Sequence, residues 1–432
     1  MDRPRNFFVR IFRRAGELEK NSFMLFIIMM FGNFLNYLFQ IIMGGLLDVE
    51  DYGRLSALLS IIAILSVISG VMTMVTAKYT VEYVHHERLH RLRYLFISIL
   101  KVIAVFAGAI LLLGIVFSSV ISRELKIGND ILVIATVIAS VVSLFTSVVL
   151  GILQGLKRFF HFGMTSFLAI LGKFAFGIAL VLIGLQLYGP ITAIILGMFI
   201  SFGYGIFQIR SQIIRPENDG PEPFPKQMFF RFVGKVIVIQ VCISLITNGD
   251  ILLVKYFFSE QEAGIYSSAM MIGKISLYAA TAIVAALFPM TMEKVVKGVG
   301  AKRLLFKSLL YSGGIAVLCA LVLNLFPDFI INILYGQKYL SSAPLLLPIS
   351  SLVIPVTIFT ILMNYQMATG KTRVLSITLI GCIVLSGVLV QFFHSSIPQM
   401  IYCLAAVLAV GAVADAVILF ISKQVQTETK ND

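Results

Sequence analysis

Twelve stretches of roughly 20 mostly apolar residues follow one another along this chain, each long enough to cross a bilayer as a helix. They run about 23–47, 55–77, 95–121, 131–153, 164–187, 190–209, 232–257, 264–290, 305–334, 343–367, 374–394 and 399–422. Composition rules out a soluble core as the place to bury them. The 432 residues are 59% hydrophobic and 13% charged, with a mean hydropathy of +0.97. Soluble domains are roughly 45–50% apolar and about 25% charged. The excess can only face lipid, so the fold class expected is an all-α polytopic membrane protein with 12 transmembrane helices. The segments at 95–121 and 305–334 are long enough to tilt or to run past the bilayer.

The basic residues orient the spans. Of the 34 Lys and Arg, 25 fall in the N-terminal segment, in alternate loops or in the C-terminal tail. Five fall in the opposite loops (Arg54, Arg123, Lys126, Lys255 and Lys338) and four lie within spans. The positive-inside rule then places both ends in the cytoplasm of a cell-membrane protein. The net charge of +13 is thereby assigned to topology, and nucleic acid is not expected as a partner. The start, MDRPRNFFVRIFRRAGELEK, leaves two readings. Phe8, Ile11 and Phe12 lie in the membrane surface while Arg10, Arg13 and Arg14 meet anionic headgroups, or the segment is a basic tail that only fixes topology.

Little here suggests an enzyme. Cys242, Cys319, Cys382 and Cys403 lie in apolar stretches without CxxC spacing, so they read as small hydrophobic residues with no disulfide or metal role. His85, His86 and His90 share one basic loop, and His161 and His394 stand apart from them. The loops opposite the basic side are too short to hold sugars for chemistry, which disfavours a membrane-embedded glycan polymerase. No GxxxxGK[ST] motif provides for ATP. A secondary transporter is the class that remains. It needs no cofactor beyond a coupling ion, a proton or sodium, which the sequence does not name.

The chain is written twice. Six spans precede the Pro-rich, charged stretch RSQIIRPENDGPEPFPKQ and six follow it, which makes that stretch a linker. Gly53 matches Gly264, Arg93 matches Arg303, and the GLKR at Gly155–Arg158 matches the GKTR at Gly370–Arg373, at offsets of 210 to 215. With six spans per half, both halves enter from the same side and form parallel repeats about an axis along the membrane normal. The organisation expected is a basic segment (1–22), an N-lobe (23–209), a linker (210–231), a C-lobe (232–422) and a tail (423–432).

Polar groups at membrane depth are costly and each asks for a reason. Asn33, Asn36 and Gln40 share one face of the first span. Gln240, Ser244, Thr247 and Asp250 lie mostly on one face of the seventh, where Ser244 and Thr247 stand 211 residues after Asn33 and Asn36. A hydrated cavity lined by both copies is favoured over hydrogen bonding within each bundle. Lys101 and Lys235 lie close enough to helix ends to snorkel, whereas Lys173 and Lys274 reach the midplane. Asp250 and Lys274 have similar depth on adjacent antiparallel helices, so a structural salt bridge is as good a reading for Lys274 as a ligand contact. Lys173 has no such carboxylate in view. Pro355 marks either a gating kink or a static one. Asp415 is either a proton site or, the better reading, a hydrogen-bonding group against a neighbouring helix.

The 6+6 pattern and three local features resemble the multidrug/oligosaccharidyl-lipid/polysaccharide (MOP) exporter superfamily, and within it the bacterial polysaccharide-biosynthesis (Wzx-type) flippases. The features are the acidic-x-Gly helix starts at Glu50–Gly53 and Glu262–Gly264, Asp250 followed by Gly264–Tyr266, and Leu153–Gly155 with Ala368–Gly370 before short basic loops. The resemblance implies a MATE-like two-lobe fold and alternating access. It also implies a lipid-linked (polyprenyl-pyrophosphate) oligosaccharide as substrate, with other polysaccharide-assembly membrane proteins as partners. Lys173 and Lys274 would then meet the pyrophosphate in a cationic cavity. Lipid II flippases look similar but carry fourteen spans, which counts against that branch. A cation-coupled multidrug exporter of the same superfamily is the alternative; it would need cavity carboxylates, and only Asp250 and Asp415 are on offer.

Overall fold

Lipid offers no hydrogen-bond partners, so an apolar run must satisfy its own N–H and C=O groups within a helix. The computed structural model describes residues 17–85, 92–213, 226–296, 302–369 and 372–421, and among these no strand occurs. The basic start up to residue 16, the middle of the linker, His86, His90, Gly370 and Lys371, and the tail lie outside the described residues. The first half contains α1 (Glu17–Leu46), α2 (Val49–His85), α3 (Leu92–Val116), α4 (Ser118–Glu124), α5 (Asp130–Gly155), α6 (Phe159–Leu180) and α7 (Tyr188–Ile213). The second contains α8 (Lys226–Phe257), α9 (Glu260–Val296), α10 (Lys302–Leu325), α11 (Pro327–Tyr335), α12 (Leu346–Thr369), α13 (Thr372–Val390) and α14 (Ile397–Ile421).

Eleven helical stretches among the described residues are long and apolar enough to span a membrane. The other expected span, 264–290, falls in α9, a single helix of 37 residues with many side chains outside the described set. Lipid-facing character is visible on the surface. Val105, Leu112 and Val116 of α3 are 74%, 64% and 63% exposed, as no soluble protein would leave one helix.

The two halves repeat helix for helix. Corresponding helices start 209 to 216 residues apart, from α1 with α8 to α7 with α14. The repeat extends to a feature that hydropathy does not show. Each long third segment, expected as one helix, breaks in two: at Phe117 (φ −94°, ψ 1°) and at Phe326 (φ −131°, ψ 52°), 209 residues apart. The second break has a cause in sequence. Pro327 disfavours helical geometry at Phe326 and itself suits the first turn of α11. The first break has no proline. The expected span 164–187 ends in a π-helical turn, Val181–Leu185, where Gly184 takes φ 98° and Gln186 φ 41°. Pro355 sits inside α12 and the helix continues through it.

The chain forms two compact units. The first comprises Met1–Leu47 and Ile61–Ile237, the second Asp48–Ser60 and Val238–Asp432, so α2 and α8 each change unit along their length. In the first unit α2 and α5 pack by small residues and hydroxyls. A Cβ at Gly151 would overlap Thr76, and one at Gly155 would overlap Thr80. Ser69 and Ser143 hydroxyls lie 2.7 Å apart, and Thr73 Oγ1 donates to the Ser147 carbonyl (3.2 Å). Around them Val75, Leu95, Ile99, Leu144, Val148 and Ile152 form a buried cluster. The helices α6 and α7 approach closer still: a Cβ on Gly172 would stand 2.6 Å from the Cα of Gly197.

In the second unit the duplicated acidic-x-Gly motifs meet. A capping box opens α9: Ser259 N–H donates to Glu262 Oε2 (3.0 Å) and the Glu262 N–H to Ser259 Oγ (3.3 Å). Two residues on, Gly264 faces Gly53 of α2. A Cβ on Gly53 would lie 2.7 Å from the Gly264 nitrogen, and one on Gly264 would overlap the Val49 carbonyl oxygen. Arg54 bonds Asp51 (3.0 Å) and pairs with Glu260, which also has Lys255 Nζ at 3.8 Å. Beside them Tyr52, Tyr335 and Tyr339 pack tilted or edge to face with ring centroids 5.4 to 5.9 Å apart, and the Tyr52 and Tyr335 hydroxyls are 3.1 Å apart.

Because backbone meets backbone at this crossing, Gly264→Ala should cost about 1–3 kcal/mol of stability. Gly313→Ala in α10, where a Cβ meets nothing within 4 Å, should gain about 0.5–1 kcal/mol through helix propensity. Thermal unfolding of the purified variants in one detergent should therefore shift in opposite directions; an unchanged midpoint for Gly264→Ala would mean that the contact is not required.

Candidate functional site

The polar face of α1 is set by helical spacing: Asn33, Asn36 and Gln40 line one side, and Phe39 falls beside Asn36 and Gln40 on the face toward α6. On α6, Lys173 and Gly177 share a face one turn apart. The structure brings these faces together within the first unit. Lys173 Nζ donates a hydrogen bond to Asn36 Oδ1. The same nitrogen stands 4.6 Å from the centroid of the Phe39 ring, a cation–π contact worth ~2 kcal/mol when desolvated. Among the described residues no carboxylate pairs with Lys173. The Gln40 side chain is half-buried, and its Oε1 is buried with no hydrogen-bond partner. Asn33 is exposed a turn away and does not join this cluster.

The second unit uses the corresponding helix, α8, in a different way. The Ser244 carbonyl accepts from Asn248 Nδ2 (3.2 Å), and Thr247 Oγ1 both donates to the Ile243 carbonyl (2.9 Å) and accepts from Asn248 (3.0 Å). Gln240 is half-buried a turn earlier. Lys274 of α9 is buried and donates to Asn248 Oδ1 at 3.2 Å. Asp250, 3% exposed, accepts the Tyr266 hydroxyl at 2.6 Å through Oδ2, and its Oδ1 has no hydrogen-bond partner. Asp250 and Lys274 do reach the same region, but among the described residues they form no ion pair. Each has taken a neutral partner instead. Asp250 also borders an apolar cavity of about 320 Å³ walled by α8, α12, α13 and α14. Asp415 lies on α14, fully buried, and accepts from Gln366 Nε2 of α12, the neighbouring-helix role favoured for it.

Three participants escape a reading for charge: Asn248, Tyr266 and Phe39. Asn248 had a signal, since it stands 212 residues after Asn36, and both asparagines give their side-chain oxygen to a lysine. The Gly264–Tyr266 feature marks Tyr266 without giving it a role, and Phe39 had no signal beyond helical register, because aromatic residues fill apolar spans everywhere in this chain.

The family model described as polysaccharide biosynthesis protein matches residues 18–295. No curated protein matches the sequence. Among solved structures, the lipid II flippase MurJ in an inward closed conformation is similar at a TM-score of 0.71, with 14% identity over 93% of this chain and 88% of that one. An inward-facing multidrug resistance MATE family transporter of the MOP superfamily gives 0.69, with 13% identity over 92% and 96%. A MOP superfamily transporter from Pyrococcus furiosus gives 0.63, with 14% identity over 94% and 95%. At these identities the likeness establishes a shared fold.

Tyr266→Phe removes only the hydroxyl that Asp250 accepts and leaves a buried carboxylate without its bond. It should cost about 1–3 kcal/mol. Adding Asp250→Asn should restore part of that, because an unpaired amide is cheaper to bury than an unpaired charge. A double-mutant cycle on thermal stability checks this, and additive effects would mean the two groups are not coupled.

Proposed function

Because the chain belongs to the polysaccharide biosynthesis protein family, we propose that it is a flippase carrying a lipid-linked, polyprenyl-pyrophosphate oligosaccharide from the cytoplasmic to the outer leaflet of the cell membrane. The observation that carries this reading is Lys173, an ammonium deep in a span whose partners, the Asn36 oxygen and the Phe39 ring, are both neutral. A charge at the centre of a bilayer costs about 2.5–3.5 kcal/mol even by insertion scales. Two neutral partners offset part of that cost and leave the positive charge uncompensated. An anion that must itself cross the apolar slab is the complement to such a group.

The pyrophosphate fits this requirement. Its oxygens accept from Lys173 and from the side-chain amides of Asn36 and Gln40, while the polyprenyl tail stays in lipid and the sugars follow the polar face of α1. Binding of this kind is charge-assisted and therefore strong in a dry site. It must also be weak enough to reverse, which a single lysine with neutral neighbours achieves better than a cluster of arginines. The N-lobe (23–209) and C-lobe (232–422) are taken as the moving bodies of an alternating-access cycle, with both termini cytoplasmic and Pro355 as a flexing point.

Purified protein in liposomes with a fluorescent polyprenyl-pyrophosphate oligosaccharide provides the test. Label in the inner leaflet should become accessible to an external glycosidase only when the protein is present. Lys173→Ala should reduce the rate at least on the order of tenfold, the equivalent of one lost charge-assisted bond, with the thermal midpoint kept within a few degrees. Full activity in that variant would remove Lys173 from the site, and movement of organic cations without glycosidase access would replace the substrate class.

A further inference from the structure

We propose that Phe39, backed by Gly177, is a positioning residue for Lys173, and that its ring face steadies the ammonium without supplying a counter-charge. The inference rests on the reading that Lys173 meets the anionic head of the substrate. Phe39 is fully buried, so its ring orientation is fixed by packing. Gly177 is what allows that packing: a Cβ there would stand 2.7 Å from Phe39 Cε2, with Cζ and Cδ2 at 3.5 and 3.6 Å. The ring is thus seated against the backbone of the helix that carries Lys173, one turn beyond it.

The height of Lys173 is fixed by a second close approach. A Cβ on Gly197 would lie 2.8 Å from the Lys173 backbone nitrogen and 2.6 Å from the Ala169 carbonyl oxygen. Two glycines on α6 and one on α7 therefore clamp a single turn of α6 between α1 and α7. From that turn the lysine stem reaches back to α1, where Asn36 takes one N–H and the Phe39 ring presents its negative face at 4.6 Å.

The chemical consequence is selective. A carboxylate at the position of Phe39 would neutralise the ammonium and repel an incoming anion. A π-face attracts the ammonium through its quadrupole but carries no net charge, so it steadies the cation in lipid without competing for the ligand. One of the ammonium's three N–H groups is engaged by Asn36, which leaves others to donate.

Phenylalanines carrying one, two and three fluorines at position 39 keep the ring and progressively cancel its negative face. Two quantities are read on the same liposomes. One is the rate at which acetic anhydride acylates Lys173, followed by peptide mass spectrometry. The other is the apparent KM and maximal rate of flipping for the fluorescent polyprenyl-pyrophosphate oligosaccharide. Acylation should quicken stepwise with each fluorine, on the order of tenfold across the series, and the apparent KM should rise in parallel with little change in maximal rate. Gly177→Ala, which pushes the ring off its seat, should match the trifluoro protein; if that variant does not fold, the fluorinated series alone decides. An acylation rate flat across the series overturns the proposal, since the ring would then only fill space. Graded acylation with unaltered flipping leaves the Phe39–Lys173 pairing in place but overturns its role in transport, whereas the assignment of Lys173 to the pyrophosphate stands or falls with Lys173→Ala.

Discussion

A bilayer core supplies no water, and the polar groups of the described spans are arranged around that lack. The backbone answers with helices. Hydroxyls answer by bonding back onto the carbonyl one turn earlier, as Thr80 does to Thr76 (2.8 Å), Thr136 to Leu132 (2.8 Å) and Thr357 to Val353 (2.9 Å). Such bonds cost little and keep small polar residues in helices that also need small side chains for close packing. Asparagine amides use one N–H in the same way, as Asn248 does to Ser244 (3.2 Å) and Asn364 to Thr360 (2.9 Å). Their remaining groups, with the charges and the tyrosine hydroxyl, tie one helix to another: Lys173 to Asn36, Lys274 to Asn248, Tyr266 to Asp250, Gln366 to Asp415.

The duplicated acidic-x-Gly motif follows the same logic. A helix start has free N–H groups, which lipid cannot satisfy. Glu262 closes one of them through the capping box with Ser259, and the glycine two residues on lets α9 come within backbone contact of α2. In the first copy Glu50 and Asp51 occupy the opening turn of α2, and Gly53 is the other side of that same contact. A position and its repeat equivalent touch each other, so neither can carry a side chain. Two copies of a weak motif become one specific crossing, and the sequence repeats there because the contact has two sides.

Hydropathy and repeat made most of the fold legible in advance. Span length, the basic loops and the 210-to-215 offset each constrain the same twelve segments, and a bilayer leaves few other ways to satisfy them. What could not be read was the exact place of each turn and the rotation of each helix. Counting from a turn centred near residue 261 gives Asp250 and Lys274 similar depth, but α8 ends at Phe257 and α9 starts at Glu260. Asp250 therefore stands level with Tyr266, to which it bonds, and Lys274 lies deeper along α9, against Asn248. The direction in which a side chain points follows from how two helices are rotated about their own axes, and that is decided by packing partners far away in sequence. The break at Phe117 was hidden for a related reason: no residue there forbids a helix, and only its counterpart at Phe326, beside Pro327, carries a local signal.

The same distinction separates the two midplane lysines, which composition and depth treat alike. Lys274 is 6% exposed and bonded to Asn248, two residues before the Asp250 carboxylate on α8. An anion approaching it would have to displace Asn248 and tolerate Asp250. Lys173 is half-buried, with an amide and a ring for company. Nothing of like charge stands beside it among the partners described, and the unpartnered oxygen of Gln40 on the adjoining face belongs to an amide that also has donors to give. A positive charge held in lipid by neutral groups is stable only in part, and it is most stable when a negative charge arrives. On the proposed reading that asymmetry gives the two lysines different work: one completes a bundle, and the other waits for something to complete it.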